Sequence, residues 1–121
     1  MTPLIVVMVL VFGAIGALAR FGTTLLLARF TRFPFAVLLV NVVGGALGGC
    51  LLGLSSRASI SPEWHLILLT GLAGGLTTFS TWSVETVQLV EQGRWRTALS
   101  SVVLNLVLGI AAAAIGYLIT R

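Results

Sequence analysis

Charge is scarce in this chain and almost absent from its apolar stretches. Of 121 residues only 8% are charged, against about a quarter in an ordinary soluble domain. The seven positive side chains are all arginine, there are three acids, and the formal net charge is +4. The arginines are scattered between apolar segments and gather on no single face, which argues against a nucleic-acid surface. The single cysteine, Cys50, lies inside an apolar run, where it has no disulfide partner and no metal-ligand spacing, so it reads as a small packing residue. The single histidine, His65, stands at the edge of another such run, the place of a solvated interfacial side chain. No nucleophile has a base beside it, and a proton relay or hydrolytic site has too few parts. An enzyme is not expected.

Apolar sequence, in contrast, is plentiful. Hydrophobic residues make up 58% of the chain and the mean hydropathy is +1.13, values that belong in a bilayer. Residues 33–54, 66–84 and 98–120 carry no charge, and a fourth apolar stretch runs over 3–19 and resumes after Arg20 as far as Ala28. The reading is an all-α membrane protein, one domain of four spanning helices at about 3–28, 33–54, 64–91 and 96–120. Residues 17–19 resemble a signal-peptidase site, but no Arg or Lys precedes the apolar run, so the first segment is read as a span.

The connections are short and polar. RFTRFP at 29–34 ends one helix with two arginines and a proline. SSRASISPE at 55–63 offers Ser61 as a cap with Pro62 at the first helical position. EQGR at 91–94 is the third, and connections this short make consecutive helices antiparallel neighbours. Trp64 and Trp95 suit an interfacial aromatic belt. With the N-terminus inside, Arg57 and Arg121 lie inside while Arg29, Arg32, Arg94 and Arg96 lie outside; so small a bias permits either insertion, or both. Gly44 with Gly48, Gly45 with Gly49 and Gly53, Gly13 with Ala17, and Gly109 with Ala113 form small-residue rows that let helix backbones approach in lipid. Four thin helices have little interior of their own, and an oligomer is expected.

Polar side chains at membrane depth normally face a bundle interior or an aqueous path. Here they are Arg20, Asn41, the run Thr77, Thr78, Ser80, Thr81 and Ser83 followed by Glu85, and Asn105 with Ser100 and Ser101 a turn earlier. They are mostly neutral hydrogen-bond donors, which suits a small anion that must shed water and still leave; taken singly, each could equally bridge helices or bond to its own turn. Gly74-Gly75, at about 1 kcal/mol each relative to alanine in a helix, followed by five hydroxyls that compete for backbone hydrogen bonds, make a break in the third helix as plausible as a continuous one. Such breaks line cavities, and their freed carbonyls bind cations. Phe79 and Trp82, three apart, would fall on one side of a resumed helix.

GALARFG at 16–22, LLVNVVGG at 38–45, GLAGGLTTFSTWSVE at 71–85 and NLVLG at 105–109, in this order over essentially the whole chain, closely resemble the CrcB/Fluc family of microbial fluoride channels. The resemblance implies a passive, fluoride-selective channel of the cell inner membrane that exports fluoride and confers fluoride resistance. It also implies a dual-topology antiparallel homodimer with two pores and a structural, untransported sodium ion at its centre. Gly74 and Thr77 match the positions whose backbone carbonyls hold that ion, from both subunits. Phe79 matches the first pore phenylalanine, Asn41 the pore asparagine, Arg20 the vestibule arginine and Glu85 the glutamate ending the polar track, to which Thr78, Ser80, Thr81 and Ser83 belong. Trp82 stands where the family usually has a second phenylalanine, and Ser101 and Asn105 where many members carry tyrosine and serine. Two rivals remain: a proton-coupled exporter like the small multidrug transporters, which needs an acid deep in the first span where there is none, and a purely structural membrane subunit.

Overall fold

A computed structural model describes residues 1–29 and 32–121, so Phe30 and Thr31 of the expected first connection lie outside the described residues. Every regular element among the described residues is helical: α1 (Pro3–Leu27), α2 (Phe35–Ser56), α3 (Pro62–Leu66), a π-helical segment (Ile67–Ala73), α4 (Gly74–Leu76), α5 (Ser80–Glu91) and α6 (Trp95–Thr120). They form four long apolar units, Pro3–Leu27, Phe35–Ser56, Pro62–Glu91 and Trp95–Thr120. At about 1.5 Å per residue the shortest, 22 residues, still spans the ~30 Å hydrocarbon layer. This is a multi-pass membrane protein.

Local chemistry sets the helix ends. The Thr2 hydroxyl accepts from the Ile5 amide at 3.4 Å with Pro3 at the first position. Ser61 accepts from the Trp64 amide at 3.3 Å with Pro62 behind it, the cap expected from sequence. After α5, Gly93 takes φ +75° and the Arg94 amide reaches back to the Leu89 carbonyl at 2.8 Å. That Schellman-type closure uses the left-handed backbone that glycine adopts without steric cost.

Packing is backbone against backbone. The most extensive contact runs between α2 and α6, and α1 lies along the π-helical segment and α4. A Cβ at Gly45 would sit 3.0 Å from the Gly109 carbonyl oxygen, and one at Gly53 2.8 Å from that of Tyr117. Gly45, Gly49 and Gly53 are therefore the seam with α6, gaining dispersion contact that lipid alone would not supply. Gly48 instead meets only the Leu69 side chain, at 3.5 Å. On α1 the tightest position is Gly16, outside the expected Gly13–Ala17 row; its Cβ would fall 2.7 Å from the Leu76 amide nitrogen.

The third unit is interrupted near its middle, two residues beyond the glycine pair. Gly74 keeps φ −63° and ψ −38°, and the helix runs on to Leu76 before Thr77 turns extended at φ −80°, ψ 156°. The reason for Gly75 is contact: its Cβ would lie 3.0 Å from the Gly13 carbonyl carbon. Gly75, with Gly71 a turn earlier, brings the third unit onto α1, and the hydroxyl residues after the pair carry the break.

Gly16→Val should therefore push α1 off the third unit, costing about 1–3 kcal/mol by overpacking and lowering the unfolding temperature in detergent. Gly22→Ala, inside α1 at a position with nothing within 4 Å, should instead raise it slightly, through up to about 1 kcal/mol of helix propensity.

Candidate functional site

At the interruption the backbone is bonded to a side chain of another helix. The Thr78 amide donates to Asn41 Oδ1 at 2.9 Å, and Asn41 Nδ2 donates to the Thr78 carbonyl at 3.1 Å. One side-chain amide thus pairs with both polar groups of residue 78, as a neighbouring strand would. The second Asn41 N–H donates to Asn105 Oδ1 at 3.1 Å, and Asn105 Nδ2 donates to the Ser101 carbonyl at 2.8 Å. Both Asn41 donors and its acceptor are engaged, in a network joining α2, the break and α6.

Thr78 also restarts the helix. Its Oγ1 accepts from the Thr81 amide at 3.1 Å, donates to Thr81 Oγ1 at 3.1 Å, and lies 3.3 Å from Ser80 Oγ. Phe79 already has helical angles, φ −87° and ψ −39°, so Thr78 serves as the cap of α5.

These diversions have a consequence for two carbonyls. In an unbroken helix the Thr78 amide would bond to the Gly74 carbonyl and the Thr81 amide to that of Thr77. Here the first goes to Asn41 and the second to Thr78 Oγ1. The oxygens of Gly74 and Thr77 are thereby released from the helix ladder, and both residues line the groove described next. Neutral carbonyl oxygens are hard donors suited to an alkali cation. Among the described residues no group of three His, Cys, Asp or Glu side chains could hold a metal ion instead.

An open groove of about 480 Å³ follows the break, walled by Asn41, Gly74, Thr77, Thr78, Phe79, Trp82 and Asn105 and floored by small and aliphatic residues including Gly44, Gly45, Gly109 and Leu106. Phe79 is 75% exposed, its ring standing edge-on to Trp82 with centroids 5.7 Å apart and planes at 76°. Both aromatics fall on one side, as their spacing implies. The Trp82 indole N–H is buried with no protein acceptor.

The chain matches the family model described as CrcB-like protein, Camphor Resistance (CrcB), over residues 7–117. The chain belongs to the CrcB family. A protein of Renibacterium salmoninarum named fluoride-specific ion channel FluC is 43% identical over 121 residues, covering 93% of this chain and 96% of its own. Its namesake from Shewanella amazonensis is 43% identical over 106 residues, covering 86% of each chain. A FluC 2 of Symbiobacterium thermophilum is 42% identical over 107 residues, with 86% of this chain and 87% of the relative covered.

In this CrcB chain not every expected site residue reaches the groove. Ser101 is fully enclosed, at 0% exposure, and connects with the groove through Asn105. The Ser83 hydroxyl donates back to the Phe79 carbonyl at 2.8 Å, and Ser80 and Thr81 join through Thr78. Arg20, half-buried on α1, lies outside the groove, and Glu85 lines a second pocket near the Arg32 and Arg94 end. The aliphatic floor carries no signal in the sequence beyond its small-residue rows.

Asn41→Leu strips partners from the Thr78 N–H and C=O and from Asn105 at once. A loss of about 1–3 kcal/mol per orphaned group should appear as a lowered unfolding temperature. Thr78→Val, which removes the cap, should cost about 1 kcal/mol in the same measurement.

Proposed function

We propose that this protein is a passive fluoride channel, built from two antiparallel copies that insert in both orientations. The observation that carries the reading is the broken third unit, whose Thr77, Thr78 and exposed Phe79 ring open onto one groove. Relatives covering most of this chain bear the name fluoride-specific ion channel. A single copy leaves that groove unroofed and offers the Gly74 and Thr77 carbonyls once. A second copy related by a two-fold axis closes the groove and doubles the oxygens to four, Gly74 and Thr77 from each chain. Those four would hold a sodium ion that stays in place, its charge fixing the crossing of the two breaks.

The anion path runs along Phe79, Trp82 and Asn41, with Thr78 and Asn105 as its polar wall, Ser80, Thr81, Ser83 and Ser101 supporting that wall from behind, Arg20 toward the vestibule and Glu85 at the end of the track. The positive edge of the Phe79 ring faces the anion, and neutral donors replace its water without holding it. Because both Asn41 donors are engaged, Asn41 acts first by fixing the break and secondly as wall. An inside-negative membrane supplies about 2.3 kcal/mol per charge per 100 mV, enough to drive fluoride outward without ATP or a coupled ion. No catalytic role is assigned to any residue.

Purified protein in liposomes loaded with fluoride should release it rapidly and to saturation without a proton gradient, and release chloride far more slowly. Absence of release from folded, dimeric protein would overturn the channel reading, and release only with a proton gradient would favour an exporter. Phe79→Ala should abolish flux and leave the dimer intact. Replacing sodium with N-methylglucamine should lower the unfolding temperature of wild-type protein, and an unchanged temperature would count against the carbonyl site.

A further inference from the structure

Away from the groove, two pockets meet at the membrane edge. One, about 410 Å³, is walled on its polar side by Arg32, Arg94, Gln88 and Gln92. The other is an almost wholly apolar channel along α2, lined by Leu38, Leu39, Val42 and Leu108. Leu27 and Phe35 line both, so the two form one continuous amphipathic surface. Neither shares a residue with the groove at the break.

The dimensions and charges select an occupant. From Phe35 to Val42 the apolar channel descends roughly 10 Å along the helix, part of the depth of one leaflet, and its Phe35, Leu39 and Leu108 are 49%, 47% and 41% exposed. At the upper end the Arg94 guanidinium donates to the Arg32 carbonyl, which anchors its stem and leaves other N–H donors of its fork without a partner among the described residues. A guanidinium fork matches phosphate geometry. Two arginines against Glu85, the one acid in the lining, leave one net positive charge, which a singly anionic headgroup balances and a zwitterionic one does not. Among the described residues no acid or arginine lines a further apolar pocket, between α1 and the third unit.

We propose that Arg32 and Arg94, with the apolar channel below them, form a binding site for one anionic phospholipid of the phosphatidylglycerol kind. The phosphate sits between the two guanidinium groups, the glutamine amides bond the headgroup hydroxyls, and one acyl chain descends past Phe35 and Leu39.

Native mass spectrometry of the full-length protein, titrated with phosphatidylglycerol or phosphatidylcholine, tests this. One phosphatidylglycerol should be retained in preference to phosphatidylcholine, with about fivefold weaker binding for each of Arg32→Gln and Arg94→Gln. Leu39→Trp, at an exposed position, should weaken it as well by filling the channel. Equal retention of the two lipids would overturn the proposal, as would arginine variants that bind like wild type. If the arginine changes weaken binding while Leu39→Trp does not, and inorganic phosphate competes fully, the site takes a free anion only and the lipid assignment fails. None of these outcomes depends on fluoride flux.

Discussion

The pairing of one side-chain amide with one backbone residue governs the rest of the structure. A helix interrupted in hydrocarbon leaves N–H and C=O groups without water to bond them, and each such group costs several kcal/mol. Asn41 answers both polar groups of Thr78, so the interruption can persist at membrane depth. Thr78 then restarts the helix from its own hydroxyl. Because the two amides are taken by side chains, the Gly74 and Thr77 carbonyls are turned loose together, and the same event that stabilises the break creates the oxygens proposed to bind a cation.

The break needs a rigid frame, and small residues supply it. Gly45, Gly49 and Gly53 draw α2 onto α6, which sets Asn41 within 3.1 Å of Asn105. Gly16 and Gly75 draw the third unit onto α1 from the other side. Asn41 is thus held at both ends, by α6 through Asn105 and by the interrupted backbone through Thr78. A shift of either seam by a methyl group would be felt at the break, because close-packed interiors transmit displacement.

Much of this was readable in the sequence, and the misses have physical causes. Three spans followed from charge-free length and the first from an apolar stretch interrupted only by Arg20, and the Ser61–Pro62 start from capping chemistry. From the residues alone, Gly74-Gly75 and the hydroxyls after them made a break as plausible as a continuous helix; glycine also permits close approach, and at Gly75 that use prevailed. The choice between the two depends on what faces the glycine, which only the fold reveals. Asn41 and Asn105 were recognisable as polar residues in lipid, but their mutual bond joins positions 64 apart in sequence. The π-helical segment at Ile67–Ala73 had no sequence signal, its residues apart from Gly71 being ordinary helix or strand formers.

The most direct measurement replaces the peptide N–H of residue 78 by an ester oxygen, keeping every side chain, and follows fluoride efflux and unfolding temperature in liposomes. The ester removes the donor to Asn41 Oδ1 and weakens the Thr77 carbonyl as an acceptor, so the coupling with Asn41, and not the loss alone, isolates the bond. Flux and stability should both fall, and adding Asn41→Leu to the ester should cost less than that change costs alone, since the two remove the same bond. Wild-type flux and stability in the ester protein, or strictly additive losses, would contradict the role assigned to the Asn41–Thr78 pair.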